Sequence, residues 1–169
     1  MDPDRDERFR VFVVERSGAL FSTAFLLTGE RQAAEDLVQS ALAGTLARLE
    51  GLRDTAAIEG YVRRAMYHEQ VSRWRRPRGR VVYTDSVPER AQRGHDEASD
   101  LRLVMRSALG RLTRRQRTIL VLRYFEDLPE GAIAGMLGIS VGAVRSQIHR
   151  SLERLKKVAP ELRSMREPA

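Results

Sequence analysis

The sequence predicts an all-α protein built from two small helical domains joined by a flexible linker. Apolar residues recur every three to four positions in several long stretches, and no stretch shows the alternation of a half-buried strand. A polar segment punctuated by proline and glycine interrupts this pattern near the middle of the chain. The length of 169 residues allows one domain or two small ones, and the interruption favours two.

Three helices are predicted before the interruption, over residues 7–28, about 32–49 and about 56–76. The first carries an apolar stripe made of Phe9, Val13, Leu20, Ala24 and Leu27. The inward positions of the second are Ala34, Leu37, Val38, Ala41, Thr45 and Leu49. Loops of only a few residues separate the helices, so the three can enclose a small core.

The third helix changes from apolar to basic along its length. Aromatic and cationic residues are interleaved there: Tyr61, Arg63, Arg64, Tyr67, His68, Arg73, Trp74, Arg75 and Arg76. Rings can stack on unpaired bases while arginines contact phosphates, a combination that suits single-stranded nucleic acid. The residues alone leave an alternative open, in which the rings belong to the core and the arginines form a solvated face.

Residues 79–99 are predicted to form the linker, because they are polar, mostly acidic and interrupted by proline and glycine. Apolar spacing resumes over 100–110. Thr113 and Gln116 then have the spacing of a capping box, which opens a further helix. With the two segments that follow, the second domain is predicted to hold four helices over 100–160, and the polar tail 161–169 is expected to fray.

The last two helical segments, within Leu128–Lys157, have the pattern of a helix-turn-helix. Gly138 stands where a helix can end in the left-handed conformation, and Ser140 is a good N-cap for the next helix. Small, hydrogen-bonding or cationic residues point outward from that helix: Val141, Gly142, Arg145, Ser146, His149 and Arg150. Such a face suits a DNA major groove. A helical hairpin with a solvated basic face is the alternative.

Charge is segregated along the chain, whose net charge is +7. Residues 1–60 carry −4, 61–80 carry +6, 81–100 carry −3 and 101–169 carry +8. The two basic blocks could each bind a polyanion, since contacts to phosphates supply much of the affinity of proteins for nucleic acid. A membrane surface would also attract them, but no amphipathic helix with exposed Trp or Phe flanks the blocks.

Several classes of site are excluded by composition. The chain has no cysteine, and its three histidines show no ligand spacing, so no metal, cofactor or thiol nucleophile is expected. No paired carboxylates or nucleophile–base pair indicate catalysis. The N-terminus is acidic rather than signal-like, and no apolar run approaches the 18 residues of a membrane span. We expect a cytoplasmic protein that is not an enzyme and does not insert into a membrane.

Four segments carry a family resemblance: AEDLVQSAL at 34–42, YVRRAMYHEQVSRWRR at 61–76, ALGRLTRRQRTILVLRYFEDL at 108–128 and GMLGISVGAVRSQIHRSLERLK at 135–156. Together they resemble the extracytoplasmic-function (ECF) sigma factors of bacterial RNA polymerase. The resemblance covers nearly the whole chain. It implies an alternative sigma factor that directs promoter-specific initiation, with a region 2-like domain over 1–78 and a region 4-like domain over 100–160.

The resemblance also implies roles for particular residues. The clamp helices of the largest polymerase subunit would be bound by Glu35, Asp36, Leu37 and Gln39. The downstream promoter element would be melted and bound by Leu52, Arg53, Arg63, Arg64, Tyr67, His68, Arg73, Trp74, Arg75 and Arg76. The upstream element would be read as duplex by Ser140, Val141, Gly142, Ala143, Arg145, Ser146, His149 and Arg150. The polymerase flap and a sequestering anti-sigma protein are further partners that the resemblance implies.

Three positions depart from the family pattern. His68 stands where Asn is frequent, Tyr61 replaces a usual Trp, and Ala132 replaces the Glu of a Glu-Ile-Ala run. The main rival is a one-component regulator that uses the same DNA-binding helix without being a polymerase subunit. It predicts stable duplex binding without polymerase and a symmetric site. A helical enzyme or metal-dependent sensor has little support in the sequence.

Overall fold

The computed structural model describes residues 3–75 and 97–164, and every regular element in these ranges is helical. The prediction of an all-α fold is confirmed. The chain divides into two compact units, Met1–Arg80 (unit 1) and Val81–Ala169 (unit 2). Residues 79–96 of the predicted linker lie outside the described ranges, and 97–99 already belong to the first helix of unit 2.

Unit 1 consists of three helices and a short 3-10 turn. Their bounds are Pro3–Thr28 (α1), Arg31–Leu46 (α2), Leu49–Gly51 (the turn) and Thr55–Arg75 (α3). Each helix packs against the other two, and the predicted inward residues of α2 are all buried, as is Leu49 in the turn. The residues of α1 and α3 that complete the core include Phe12, Leu20, Leu27, Val62 and Met66.

Helix α1 is more apolar than we expected. It contains an 18-residue window with a mean hydropathy of 1.4, so by length and composition alone it could cross a membrane. The core helix of a compact domain can have the same composition. Leu20, Ala24 and Leu27 are fully buried, and α1 packs against α2 and α3. We therefore interpret α1 as the core helix of unit 1.

Two polar side chains of α3 fasten it to α1. The buried Gln70 donates from Nε2 to the carbonyl oxygen of Leu27 over 2.9 Å. Arg63 donates from Nη1 to Oγ1 of Thr23, also over 2.9 Å. The first bond satisfies a carbonyl near the C-terminus of α1, where backbone acceptors have no partner within the helix.

Unit 2 contains helices on both sides of the predicted turn. Their bounds are Glu97–Gly110 (α4), Arg114–Leu120 (α5), Glu130–Leu137 (α6), Val141–Val158 (α7) and Glu161–Ser164 (α8). The capping box of α5 is confirmed: Thr113 and Gln116 exchange side-chain-to-backbone hydrogen bonds, each 3.2 Å long. The predicted tail begins as α8, whose Glu161 pairs with Arg111 at 2.8 Å, while residues 165–169 lie outside the described ranges.

Helix α5 continues as a π-helical turn over Val121–Phe125. The helix predicted to open at Thr113 carries Ile119, Leu120 and Tyr124. Ile119 and Leu120 are buried, but 52 % of Tyr124 is exposed. A π-helical turn holds more residues than an α-helical turn, so residues after it change their direction relative to the core. Asp127 follows with φ of 52°, which completes the exit from the helix.

Candidate nucleic-acid interface

Helices α6 and α7 form the predicted helix-turn-helix, with a bend of 100° between them. Gly138 ends α6 with φ 67° and ψ 35°, and Ser140 Oγ accepts a hydrogen bond from the Ala143 N–H at 3.1 Å. The roles predicted for Gly138 and Ser140 are therefore confirmed. Val144 is fully buried on the inner side of α7. Helices at about 90–120° with a short turn are typical of DNA-binding helix-turn-helix motifs.

The left-handed conformation at Gly138 leads to a stability prediction. An L-residue in this conformation costs about 1–2 kcal/mol, so Gly138→Ala is expected to lower the free energy of unfolding of unit 2 by that amount. Gly135→Ala is the matched control, because Gly135 lies inside α6 and the space that an added methyl group would occupy is open. It should stabilise the helix by roughly 0.5–1 kcal/mol. Denaturant unfolding measures both; equal effects would contradict the role of Gly138.

The outer face of α7 is accessible over its first three turns. Arg145, Ser146, His149 and Arg150 are exposed, as are Ser140, Val141 and Gly142 at its start, whereas Ala143 is half-buried. Arg154, Lys156 and Lys157 extend the basic surface toward the C-terminus of the helix. The structure thus brings the predicted upstream set together on one surface, next to backbone N–H groups of a helix N-terminus, which favour phosphate.

Basic residues of α7 lower the pKa of Glu153, the single acidic residue of that helix. A hydrogen bond from Lys156, 3.0 Å long, and the charge of that ammonium lower the pKa of the exposed Glu153 carboxyl. The charges of His149 and Lys157 act in the same direction. The local potential along this part of α7 is therefore positive and would attract a polyanion.

Arg145 is held by a carboxylate from the other helix of the motif. Its Nε donates to Glu130 Oε2 over 2.7 Å. Glu130 is the first residue of α6, so the missing Glu at the position of Ala132 has a counterpart two residues earlier that contacts α7. Helix α7 is also linked to α5, because Arg115 Nε donates to Gln147 Oε1 over 3.0 Å.

Part of the predicted downstream set is accessible or partly accessible on unit 1. Arg64 and His68 are exposed and lie four residues apart on α3, so they share one side of the helix. The loop before α3 contributes the exposed Arg53 and the half-buried Leu52. The backbone of Arg53 is held by Arg8, whose Nη1 donates to its carbonyl oxygen over 3.3 Å.

Other members of that set face inward or are engaged within unit 1. Tyr67 is only 4 % exposed, so its ring belongs to the core and is not available to stack on a base. Arg63 pairs with Glu59 at 3.1 Å in addition to its bond with Thr23. Arg73 pairs with Glu69 at 3.0 Å. The predictions for the side chains of Trp74 and Arg75, and for Arg76, lie outside the described residues.

The residues of α2 that were predicted to bind the polymerase differ in how accessible they are to a partner. Leu37 is fully buried and cannot contact a partner directly. Asp36 and Gln39 are exposed, and Glu35 is half-buried. Two hydrogen bonds of 3.0 Å, from Arg31 to Glu35 and from Gln32 to Asp36, hold both carboxylates along the helix. An acidic and amide face therefore remains accessible.

Comparison with known proteins identifies the family of this chain. The family model described as Sigma-70, region 4 matches residues 102–155. The RNA polymerase sigma-E factor of Streptomyces coelicolor is 34 % identical over 149 residues, which cover 88 % of this chain and 84 % of that protein. The ECF RNA polymerase sigma factor SigL of Mycobacterium tuberculosis H37Rv is 31 % identical over 159 residues, covering 90 % and 89 %. The chain belongs to the ECF sigma factors.

A solved structure shares the fold of this ECF sigma factor. The sigma factor RpoE of Bartonella quintana, in complex with the anti-sigma factor NepR, has 23 % sequence identity and a TM-score of 0.57. The likeness covers 89 % of this chain and 95 % of the other. ECF sigma factors are regulatory subunits of RNA polymerase.

Arg154 and Glu130 of this sigma factor were not among the predicted site residues. Arg154 extends the exposed arginine row of α7 by one turn beyond Arg150. Its position four residues after Arg150 was a usable signal. Glu130 contacts Arg145 across 15 residues, and no helical spacing predicts that contact.

Proposed function

We propose that this sigma factor binds core RNA polymerase in the cytoplasm and directs initiation at promoters whose upstream element unit 2 reads as duplex DNA. The observation that carries the proposal is the helix-turn-helix, whose 100° bend leaves the cationic face of α7 exposed. The residues proposed to contact the upstream element are Ser140, Val141, Gly142, Ala143, Arg145, Ser146, His149 and Arg150, with Arg154 added as a phosphate contact.

Unit 1 is proposed to open the downstream element. Exposed Arg64 and His68 on α3, with Arg53 and Leu52 in the preceding loop, form the surface for a flipped base of the non-template strand. Flipping costs a few kcal/mol of unstacking, which contacts to the flipped base can offset. The buried Tyr67 and the paired Arg63 support this surface from within. Trp74, Arg75 and Arg76 stay in the proposed set on the sequence pattern alone.

The acidic face of α2 is the proposed contact for the polymerase. Asp36 and Gln39 are accessible there, and Glu35 is partly so. Leu37 fixes the helix from the core side rather than touching the polymerase. We further propose that residues 1–78 form the region 2-like domain and that residues 100–160 form the region 4-like domain. An anti-sigma partner is proposed because the solved relative was captured with one.

Reconstitution with core RNA polymerase tests the proposed function. The full chain should coelute with core polymerase and support run-off transcription from a subset of genomic promoter fragments. A one-component regulator would instead bind duplex DNA tightly alone, at a symmetric site, and would add nothing to the polymerase. That result would overturn the proposal.

Arg150 allows a separate prediction about phosphate contacts. In the holoenzyme, Arg150→Ala is expected to weaken binding to all promoter sequences alike and to reduce the slope of log affinity against log salt by about 1. Arg10→Ala, an exposed arginine of α1, is the control and should leave both quantities unchanged. A loss of affinity confined to one base-pair identity would instead make Arg150 a base contact.

A further inference from the structure

The contact between Glu130 and Arg145 joins the first residue of α6 to the outer face of α7. The donor–acceptor distance is 2.7 Å, in the range of charge-assisted hydrogen bonds. The Glu130 side chain is only 28 % exposed, whereas that of Arg145 is 70 % exposed. A carboxylate at a helix N-terminus is favoured by the helix dipole, so Glu130 is a stable anchor at the edge of the DNA-facing surface.

The atoms used in this contact decide what Arg145 can still do. An arginine side chain has five N–H donors arranged in a planar fork. Glu130 occupies the Nε–H, and in the described part of the chain neither terminal nitrogen of Arg145 has a hydrogen-bond acceptor. The terminal pair, Nη1 and Nη2, therefore stays available. Two parallel N–H groups of this kind match the O6 and N7 acceptors of guanine in the major groove.

We propose that Glu130 is a positioning residue that fixes the Arg145 guanidinium for end-on recognition of a guanine in the upstream element. This inference rests on the proposed function of unit 2. It assigns a base contact to Arg145 and an indirect part in promoter selection to Glu130, which need not touch the DNA.

A role for Arg145 in neutralising a phosphate fits the contact less well. A nearby carboxylate partly cancels the charge that attracts a phosphate, and a phosphate contact depends on charge more than on the orientation of the fork. Across the residues that the structure describes, Arg150 and Arg154 of the same helix have no such acidic partner, as expected for phosphate contacts. A tethered arginine also loses less side-chain freedom when it binds a base.

The test uses holoenzyme assembled from the full chain and core RNA polymerase. It is incubated with linear duplexes that are randomised upstream of the transcription start and carry a transcribed barcode identifying each upstream sequence, and the barcodes of the run-off products are sequenced to give base preferences at each position. Arg145→Ala should reduce the preference for guanine at one position roughly tenfold or more. Arg145→Lys should reduce it by a smaller factor, because an ammonium can still donate to guanine O6 and N7 but lacks the planar fork that Glu130 orients.

Glu130→Ala should reduce the guanine preference at that same position by about 1.5- to 5-fold, the range of an exposed ion pair. Glu130→Gln keeps an acceptor for the Nε–H and should lie between the wild type and Glu130→Ala. Neither change should add to the loss in an Arg145→Ala background. Glu153→Ala is the matched control, since it removes an acidic side chain from α7 without touching Arg145. It should leave the preference at that position unchanged.

The inference would be overturned by an unchanged guanine preference in Glu130→Ala, by an equal effect of Glu153→Ala, or by full activity with unchanged preference in Arg145→Lys. Uniformly tighter binding by Glu130→Ala to all sequences would show that Glu130 only screens the charge of Arg145, and would also overturn it. Thermal melting of each variant checks that unit 2 is folded. If wild-type holoenzyme enriches no sequence at all, the proposed function fails, and this result is distinct from the others.

Discussion

Leu37→Ala lowers the free energy of unfolding of unit 1 by an expected ~2–5 kcal/mol, the cost of truncating a buried leucine. The side chain is fully buried between α2 and the other two helices, so its removal leaves a cavity that a core of this size cannot easily fill. Segment-resolved amide hydrogen exchange on the full chain is the measurement. Protection should fall in α1, α2 and α3 together, while α5 and α7 keep theirs.

The neighbouring residue Asp36 provides the matched control for Leu37. Asp36 is exposed and accepts a hydrogen bond from Gln32 on the same helix, so Asp36→Ala should change stability by no more than about 0.5 kcal/mol. Its expected effect is on affinity for core polymerase, measured by titration with a labelled chain. If Leu37→Ala kept full stability and lost polymerase binding, Leu37 would contact the polymerase and its assignment to the core would be wrong.

Arg117→Ala should lower the free energy of unfolding of unit 2 by about 3 kcal/mol. Arg117 is only 1 % exposed, and its Nε donates to the carbonyl oxygen of Leu109 over 3.2 Å, which ties α5 to the end of α4. The change removes a hydrogen bond from a charged donor, about 1.5–3 kcal/mol, and leaves a cavity as well. Denaturant unfolding of the full chain, monitored by exchange in α4–α7, measures the loss.

Two further variants separate the contributions of Arg117. Arg117→Met keeps most of the aliphatic volume and loses the hydrogen bond, so its cost should be smaller than that of Arg117→Ala. Arg115→Ala removes an exposed arginine from the same helix and should cost no more than about 0.5 kcal/mol. If Arg117→Met were more stable than the wild type, burial of the charge would cost more than its bonds return.

The helix caps and turns of this fold could be predicted from the sequence. Gly138, Ser140, Thr113 and Gln116 act through backbone groups within a few residues of themselves, and each lies in the conformation or bond that its residue type predicts. The inward face of α2 followed from helical periodicity alone. The π-helical turn after Leu120 carried no such signal, so the exposure of Tyr124 could not be predicted from an α-helical pattern.

The candidate site was harder to predict because residue type does not tell where a side chain points. Tyr67 and His68 are neighbours with similar promise as base contacts, yet one is buried and the other exposed. Arg63 has Glu59 four residues before it, a spacing that signals an ion pair and was available in the sequence. The contact between Glu130 and Arg145 depends on the turn between two helices, which only the fold supplies.

The two bonds that fasten α3 to α1 have a consequence for how DNA would be opened. Arg63 and Gln70 are seven residues apart, about 10 Å along the helix, and Arg64 and His68 lie between them. A helix held at both points cannot roll without breaking one bond. We therefore expect α3 to serve as a rigid template that is preorganised before DNA arrives. Opening would then require the DNA, and not α3, to change shape, while contacts to the flipped base offset the cost of unstacking.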